Sequence, residues 1–311
     1  MSRNGYNLPF LLIVSHETFA KTVEKKYSIV YNKGYRAKIQ IVRRYRNMAK
    51  TIAIVNQQGG VGKTTTCVNL AAALTGLGAR VLVCDFDPQG NATSGLGVDK
   101  VNSSPSVYDV LINGADPKKA VVHTQWADVL PANKALSGAT VELIAMENRE
   151  YLLRDALAVL SPNYDFIFID CPPSLELLTL DALCAADTLL VPVQCEYFAL
   201  EGLSDLMYTI RLAKRSLNPR LELEGVVLTM YDGRTNLSMQ VAEEVKRYFP
   251  GKVYASVIPR NIRLSEAPSH GKPVSAYDRL SRGAEAYSAL AAEVFGQNAP
   301  DKQATANASM L

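Results

Sequence analysis

The sequence has few of the residues from which compact metal and disulfide sites are built. Its 311 residues include five cysteines, three histidines and one tryptophan. No two cysteines stand in a C-x-x-C pair, which argues against a zinc ribbon, a thioredoxin-like site and a disulfide scaffold. Most of the cysteines lie in apolar runs, as small core residues in a reducing cytosol do. They are Cys67, Cys84, Cys171, Cys184 and Cys195.

Long hydrophobic runs are also missing. The longest early apolar run, residues 8–14, is far too short to cross a bilayer, and no small-x-small cleavage site follows it promptly. We therefore expect neither a membrane span nor export. Hydrophobic residues make up 48% of the chain and charged residues 20%, which is typical of a globular protein and excludes a disordered one.

Basic and acidic residues nearly balance over the whole chain, but two segments differ strongly in net charge. There are 33 basic and 30 acidic residues, for a net charge of +3. Residues 1–47 hold ten basic and two acidic residues, so the remaining 264 residues carry a net charge of −5. We expect residues 1–47 to be a basic extension, either disordered or able to bind DNA and anionic surfaces. An alternative, which we favour, is a start codon assigned too far upstream.

Strand-like and helix-like segments alternate from residue 50 onward. The strands are apolar throughout and are separated by helices, which predicts a mostly parallel, twisted sheet with helices on both faces, in the α/β class. The predicted strands cover residues 51–55, 80–84, 165–169, 188–193, 223–228 and 253–258. The predicted helices cover residues 64–77, 199–216, 236–248 and 283–295. The tail, residues 297–311, is predicted to be disordered because it is rich in Ala, Asn and Ser.

A glycine-rich loop joins the first predicted strand to the first helix, in the sequence IVNQQGGVGKTTT (residues 54–66). Gly59, Gly60 and Gly62 allow backbone N–H groups to close around phosphate oxygens. The helix that begins near Lys63 adds the partial positive charge of its N-terminus. The loop therefore predicts a phosphate-binding site.

Two side chains of this loop carry the chemistry. The Lys63 ammonium would reach the β- and γ-phosphates, and the Thr64 hydroxyl would ligate Mg²⁺. The pattern G-x-x-x-x-G-K-[ST] is not met, because Gln57 stands at its first position. A glycine-rich turn alone also fits a tight strand-to-helix connection, but the run that ends in Lys-Thr-Thr favours phosphate binding.

Three aspartates follow predicted strands. Asp85 and Asp87 lie at the end of the second predicted strand, and Asp170 follows the apolar run of residues 166–169. Parallel strands bring their carboxyl ends to one edge of the sheet, where the phosphate loop also lies. A lone aspartate after a strand is usually a helix cap or a turn residue. Three at one edge, beside a phosphate loop, favour a magnesium–nucleotide site.

Five blocks of this sequence together resemble the ParA/Soj/MinD class of deviant Walker P-loop NTPases, and within it the chromosomal Soj-type partition ATPases. The resemblance covers residues 48–296 and implies a single domain over that range. The blocks are residues 54–66, 84–97, 168–174, 228–237 and 257–271.

The resemblance implies a function as well as a fold. Members bind Mg²⁺ and ATP, form a sandwich dimer with the nucleotides at its interface, and bind DNA without sequence preference. A ParB-type centromere-binding partner stimulates hydrolysis, which is slow without it, and the dimer then separates. The expected role is chromosome or plasmid segregation, by a cytoplasmic, nucleoid-associated homodimer that does not bind membrane.

The resemblance also assigns roles to single residues. Asp87 would position the attacking water, and Asp85 and Asp170 would support the metal ion bound by Thr64. Met230 and Pro259 would contact the base. The nucleotide phosphates would be held by Gly59, Gly60, Val61, Gly62, Lys63, Thr64 and Thr65.

One position departs from the family pattern. Members have a second lysine just before the paired glycines, which reaches across the dimer to the partner's nucleotide, and this chain has Gln58 there. Loss of one charge-assisted contact would cost about 1.5–3 kcal/mol. We place Gln58 with Lys63 and Asp87 in the catalytic set, and predict that ATP binding is retained while dimerisation or hydrolysis is weaker. Alternatively, another cation takes the place of the lysine.

DNA binding requires a local basic patch rather than a net charge. Arg234 and Arg263 match positions that the family uses for DNA, and Arg260 lies three residues before Arg263. For any one of these arginines a solvated surface charge is the simpler interpretation. Lys214, Arg215 and Arg220 near the end of a helix are weaker candidates.

Three other functions fit the same class of fold. A MinD-like membrane-cycling ATPase would need a basic amphipathic C-terminal helix, and the tail has one lysine and almost no apolar face. A metal-insertion ATPase would need paired cysteines. A weakly hydrolysing, nucleotide-gated scaffold is the third alternative, because Gln58 replaces the lysine.

Overall fold

The computed structural model describes residues 48–298, and contains a six-stranded sheet in the order β3-β2-β4-β1-β5-β6. All paired neighbours are parallel, so the predicted α/β class is confirmed. Described residues up to Glu293 form one compact unit. The strands are β1 (Lys50–Ile54), β2 (Val81–Asp85), β3 (Asp128–Leu130), β4 (Phe166–Asp170), β5 (Thr188–Gln194) and β6 (Glu222–Thr229).

Helices connect the strands, and three short 3₁₀ segments lie at Arg149–Tyr151, Ser161–Asn163 and Ala267–His270. The predicted extension, residues 1–47, lies outside the described residues, as does the tail beyond residue 298. No helix within residues 48–298 is long and apolar enough to span a membrane. The helices are α1 (Lys63–Gly76), α2 (Asn91–Gly95), α3 (Val107–Ile112), α4 (Pro117–Ala120), α5 (Leu136–Ile144), α6 (Leu152–Leu160), α7 (Leu177–Ala185), α8 (Ala199–Ser216), α9 (Asn236–Tyr248), α10 (Ile262–Glu266), α11 (Val274–Tyr277) and α12 (Arg282–Asn298).

Both faces of the sheet are covered, as continuous apolar strands predict. In β4, Ile167 and Ile169 point into a core formed with residues of α5 to α9. Phe166 and Phe168 alternate with them and point to the other face, where they are buried as well. Helix α1 packs on β1, β2 and β4. A shift of one residue would exchange the isoleucine and phenylalanine sets, which differ in size and shape, so close packing on the two faces fixes the register.

The ends of the central strands set the position of the site. Ile54 of β1 and Asp85 of β2 each pair with Asp170 of β4, so three strands end level with one another. The loop after Ile54 and the residues after Asp85 and Asp170 therefore leave the sheet at the same edge.

One predicted strand, residues 253–258, was wrong. This segment runs beside β6 but forms no continuous ladder with it: it makes an isolated bridge between Val253 and Val226, and one further hydrogen bond from Ile258 N to Leu228 O at 2.8 Å. The N–H groups of Ala255 and Ser256 donate instead to the Glu293 carboxylate, at 2.9 and 2.7 Å. This side-chain acceptor interrupts the ladder. Strand β3, which has only three residues, was not predicted from the sequence.

Candidate nucleotide site

The glycine-rich loop has the backbone conformation that phosphate binding requires. Gly60 and Gly62 have φ angles of 76° and 90°, in the left-handed region that residues with side chains rarely adopt. Helix α1 begins at Lys63, and its first internal bond runs from Thr66 N–H to Gly62 O at 2.8 Å. The earlier N–H groups of this helix end thus face the loop, as in an anion site at a helix N-terminus.

Polar side chains at the ends of β1 and β6 hold the loop in place. The Thr229 hydroxyl, at the end of β6, donates to Val61 O at 2.8 Å. Asn56 Oδ1 accepts from Gln58 N at 2.9 Å, and Asn56 Nδ2 donates to Pro192 O at 2.8 Å. Sequence reasoning missed Thr229 and Asn56. Each is a polar residue at the end of an apolar strand, and that was the available signal.

Lys63 is buried and directed into the loop. Its side chain is 6% exposed, and Nζ donates to Gln58 O at 2.8 Å. Burial lowers the pKa of Lys63, and the nearby negative charges of Asp170 and Asp87 oppose that shift. The ammonium is therefore inside the loop, next to the carboxylates that the sequence predicted.

Two of the residues predicted to bind magnesium, Thr64 and Asp170, contact each other. The Thr64 hydroxyl donates to Asp170 Oδ2 at 2.7 Å. The other oxygen, Oδ1, is buried and has no hydrogen-bond partner among residues 48–298. Burial raises the pKa of Asp170 well above its usual range, and the charge of Asp85 adds to the shift. A hydroxyl beside an unsatisfied carboxylate oxygen fits a hydrated Mg²⁺ ion, which prefers oxygen ligands and keeps several waters.

No cluster of three or more His, Cys, Asp or Glu side chains in the described part of the chain could hold a metal ion. Protein side chains alone would therefore not complete a coordination shell here. One carboxylate and one hydroxyl are the usual protein contribution where phosphate oxygens and waters supply the other ligands.

The Asp85 carboxylate is hydrogen-bonded to protein groups and is not open to a ligand. It is fully buried, and Oδ2 accepts from both the N–H and the hydroxyl of Thr93, each at 2.7 Å. Oδ1 accepts from Asp87 N at 3.2 Å. Both oxygens are used within the protein, which gives Asp85 a supporting role. Sequence reasoning missed Thr93, whose hydroxyl also accepts from Ala132 N at 3.0 Å.

Asp87 lies two residues after the end of β2, at the same edge of the sheet. Its side chain is 8% exposed, and Oδ1 accepts from Gln89 N at 2.9 Å, within its own loop. The charge of Asp87 contributes to the pKa shifts of both Lys63 and Asp170. The structure thus brings Asp87 together with the other predicted nucleotide residues.

The first turns of α1 are tied to the C-terminal part of the domain. Asn69 Nδ2 donates to Thr65 O, and Asn69 Oδ1 accepts from Val274 N, each at 2.7 Å. The hydroxyls of Thr66 and Tyr287 lie 3.1 Å apart, and both residues are buried. Thr65, the predicted phosphate contact, therefore stands on a helix held at two points.

The two predicted base contacts, Met230 and Pro259, lie on adjacent segments. Met230 follows β6 with a φ of 51°, an uncommon conformation for a residue with a side chain. Tyr231 N donates to Ile258 O at 3.0 Å, and Tyr231 forms an isolated bridge with Pro259. Thr229 connects this region to the phosphate loop. A strained residue beside a candidate binding site is a common feature of functional sites.

Gln58 makes a contact that the sequence analysis did not foresee. Its Nε2 donates to Phe198 O at 2.8 Å, and Gln57 Nε2 donates to Gly202 O at 3.3 Å. Both side chains therefore bond to the start of α8 in the same chain. To contact the other subunit of a dimer, the Gln58 amide would have to break its hydrogen bond with Phe198 O.

All three predicted DNA-binding arginines are exposed and form ion pairs within the chain. Arg234 pairs with Asp232 at 2.7 Å, and Arg260 pairs with Glu196 at 3.2 Å. Arg263 pairs with two acids, Glu266 at 2.8 Å and Asp278 at 3.1 Å. Arg234 holds the pKa of Asp232 down to about 2, and Arg260 contributes to this shift. Arg234, Asp232 and Arg260 therefore form one charged group.

Comparison with known proteins gives consistent results. A family model described as an AAA domain matches residues 49–223. The Bacillus subtilis protein named sporulation initiation inhibitor protein Soj is 58% identical over 79% of this chain and 98% of its own length. The chromosome partitioning protein ParA of Myxococcus xanthus is 49% identical over 88% of this chain and 95% of its own length.

A solved structure with bound nucleotide has the same fold. It is described as cobyrinic acid a,c-diamide synthase from Mycobacterium smegmatis with a bound ATP analogue and magnesium. It is 40% identical, with a TM-score of 0.69, and the alignment covers 78% of this chain and 93% of that one. Together with the phosphate loop and its aspartates, these similarities establish that the chain belongs to the ParA/Soj family of chromosome-partitioning ATPases.

Proposed function

We propose that this chain binds ATP with Mg²⁺ at the edge of the sheet and hydrolyses it to ADP and phosphate. The observation that carries the proposal is the grouping of buried Lys63, the Thr64–Asp170 pair and the unsatisfied Asp170 Oδ1 around the glycine loop. Thr64 and Asp170 would hold Mg²⁺, which when bound supplies charge neutralisation at the phosphates.

The residues of the chain act mainly by positioning. Lys63 exchanges its bond with Gln58 O for the β- and γ-phosphates, and the loop N–H groups surround the phosphate oxygens. Asp87 orients the attacking water. Asp85 holds the Asp87 N–H and so fixes the start of that loop. Phosphoryl transfer requires little covalent chemistry from the protein, so alignment and charge supply most of the rate enhancement.

ATP binding drives formation of a homodimer that binds DNA without sequence preference, and a ParB-type partner stimulates the otherwise slow hydrolysis that ends this state. Two adjacent aromatic side chains support a second copy at this edge. Tyr197 and Phe198 are 75% and 65% exposed, and Phe198 O is the acceptor of the Gln58 amide. Large apolar side chains beside a functional loop are typical of a surface that a partner covers.

Phosphate release tests the catalytic part of the proposal. The full chain should release phosphate from ATP slowly, only with Mg²⁺, and faster when a ParB-type partner and DNA are added. Lys63→Ala should abolish release. Magnesium-independent release, or release that survives Lys63→Ala, would contradict the proposal.

DNA and membrane binding are tested side by side. We expect ATP to increase binding to duplex DNA and to leave pelleting with anionic liposomes unchanged. ATP-dependent pelleting without DNA binding would favour a membrane-cycling ATPase instead. Nucleotide binding and dimerisation with no phosphate release, even with partner and DNA, would favour a nucleotide-gated scaffold.

A further inference from the structure

Residues 194–202 lie between the phosphate loop and one of the candidate DNA-binding arginines. The segment begins at the last residue of β5 and ends in the first turn of α8. Gln58 and Gln57 donate to its carbonyl oxygens at Phe198 and Gly202. A Cβ at Gly202 would lie 3.2 Å from Gln58 Nε2, which is tighter than an ordinary contact. The absence of a side chain at Gly202 therefore allows both glutamines to dock there.

The same segment carries the carboxylate that pairs with Arg260. Glu196 Oε1 accepts from Arg260 Nη2 at 3.2 Å, and Gln194 Nε2 donates to the same oxygen. The backbone at Glu196 forms a tight turn, in which its N–H donates to Gln194 O at 2.8 Å and its carbonyl accepts from Ala199 N at 3.1 Å. Arg260 also lies near Asp232, which Arg234 already engages.

We propose that residues 194–202 couple the phosphate loop to Arg260, and that Glu196 is a positioning residue that holds Arg260 against the protein in the absence of nucleotide. This inference rests on the proposed nucleotide-dependent DNA binding. Phosphates that enter the loop compete for the amide groups of Gln57 and Gln58. The segment then shifts, and Arg260 exchanges the Glu196 carboxylate for a DNA phosphate.

The Arg260–Glu196 ion pair is weak enough for Arg260 to exchange it for a DNA phosphate. The side chains of Arg260 and Glu196 are 69% and 57% exposed. Exposed pairs are weak and screened by salt. Removal of the Glu196 charge should therefore change DNA affinity by a few-fold rather than by orders of magnitude.

The test measures binding of the full chain to a short fluorescent DNA duplex, by anisotropy at low salt, without nucleotide and with Mg-ATP. Glu196→Gln should bind about threefold more tightly than the wild type without nucleotide and almost equally with Mg-ATP. Glu244→Gln is the matched control, because Glu244 pairs with exposed Arg247 on α9. Loss of that charge should change affinity by the same small factor in both states.

A double-mutant cycle separates coupling from a general charge effect. In an Arg260→Ala background, Glu196→Gln should change DNA affinity no more than the control Glu244→Gln does. A second route is Gly202→Ala, which displaces the glutamine side chains. It should also tighten DNA binding without nucleotide, and alanine favours the helix, so folding is retained.

The outcomes are distinguishable. If the wild type does not bind DNA with Mg-ATP, the proposed function and this inference both fail. If the wild type binds DNA with Mg-ATP but Glu196→Gln behaves like Glu244→Gln, only the coupling inference fails. It also fails if Glu196→Gln, in the Arg260→Ala background, still tightens nucleotide-free DNA binding by more than Glu244→Gln does.

Discussion

The Thr64 hydroxyl and the Asp170 carboxylate are joined by a 2.7 Å hydrogen bond, which leaves Asp170 Oδ1 buried and without a partner in the described structure. An unsatisfied carboxylate oxygen is costly in a protein interior. Its retention beside a phosphate loop is explained if it contacts the water shell of a magnesium ion. The burial of the charged Asp170 carboxylate at this edge of the sheet is therefore a property of the candidate site.

Asp170→Asn tests this explanation. The amide keeps the shape of the side chain but removes its charge. We expect ATP hydrolysis with Mg²⁺ to fall by about 100-fold or more, because removal of one preorganised electrostatic group from an active site has an effect of that order. The thermal unfolding midpoint without nucleotide should not fall, because a buried charge has been removed. Phosphate release and thermal unfolding are the measurements, and unchanged hydrolysis would contradict the assignment.

Gln58→Lys tests the departure from the family pattern. The amide now bonds to Phe198 O, and a lysine would bring a charge that can reach a second nucleotide. We expect ATP-dependent dimerisation or ATP hydrolysis to increase by about tenfold, which corresponds to about 1.4 kcal/mol. Analytical ultracentrifugation and phosphate release measure the two effects. If neither changes, Gln58 does not limit the dimer.

Asp181 predicts a pH dependence of stability that is separate from the nucleotide site. This residue of α7 is 2% exposed, and its Oδ1 has no partner among residues 48–298. Burial raises its pKa to about 7, although Arg149 acts in the opposite direction. The folded state therefore binds the proton more tightly than the unfolded state. The contribution of Asp181 to the free energy of unfolding is most favourable at low pH, and becomes less favourable as pH rises toward about 7.

Asp181→Asn should remove most of this dependence. We expect the variant to be more stable than the wild type by roughly 2 kcal/mol near pH 8, and the difference to shrink as the pH falls toward 4. Urea unfolding over that pH range measures it. Asp155→Asn, at an exposed acid on α6, is the control and should track the wild type. A difference that is constant with pH would show that Asp181 is not the titrating group.

Much of the fold could be predicted from the sequence because burial on both faces leaves a strong pattern. The helices at residues 199–216 and 236–248 have the predicted bounds, and five of the six predicted strands are present within one residue at each end. The segment at residues 253–258 could not be recognised as irregular, since its interruption depends on Glu293, almost forty positions away.

The candidate site was predictable where chemistry follows strand ends, as at Asp87 and Asp170. The supporting contacts of Thr229 and Thr93 were not, because the Thr229 hydroxyl at the end of β6 reaches Val61 O, and the Thr93 hydroxyl on α2 reaches Asp85, only after the chain has folded. The pairs of Arg260 with Glu196 and of Arg263 with Asp278 likewise depend on how distant segments fold together, which a residue pattern does not encode.

Binding of the full chain to duplex DNA, with and without Mg-ATP, tests the central claim most directly when Arg234→Ala and Arg263→Ala are measured beside the wild type. The account predicts that Mg-ATP increases wild-type affinity by about tenfold or more, through the bivalency of a dimer. Each variant should bind DNA more weakly and with a smaller dependence on salt, while retaining ATP binding. DNA affinity that is independent of nucleotide, or unchanged in both variants, would contradict it.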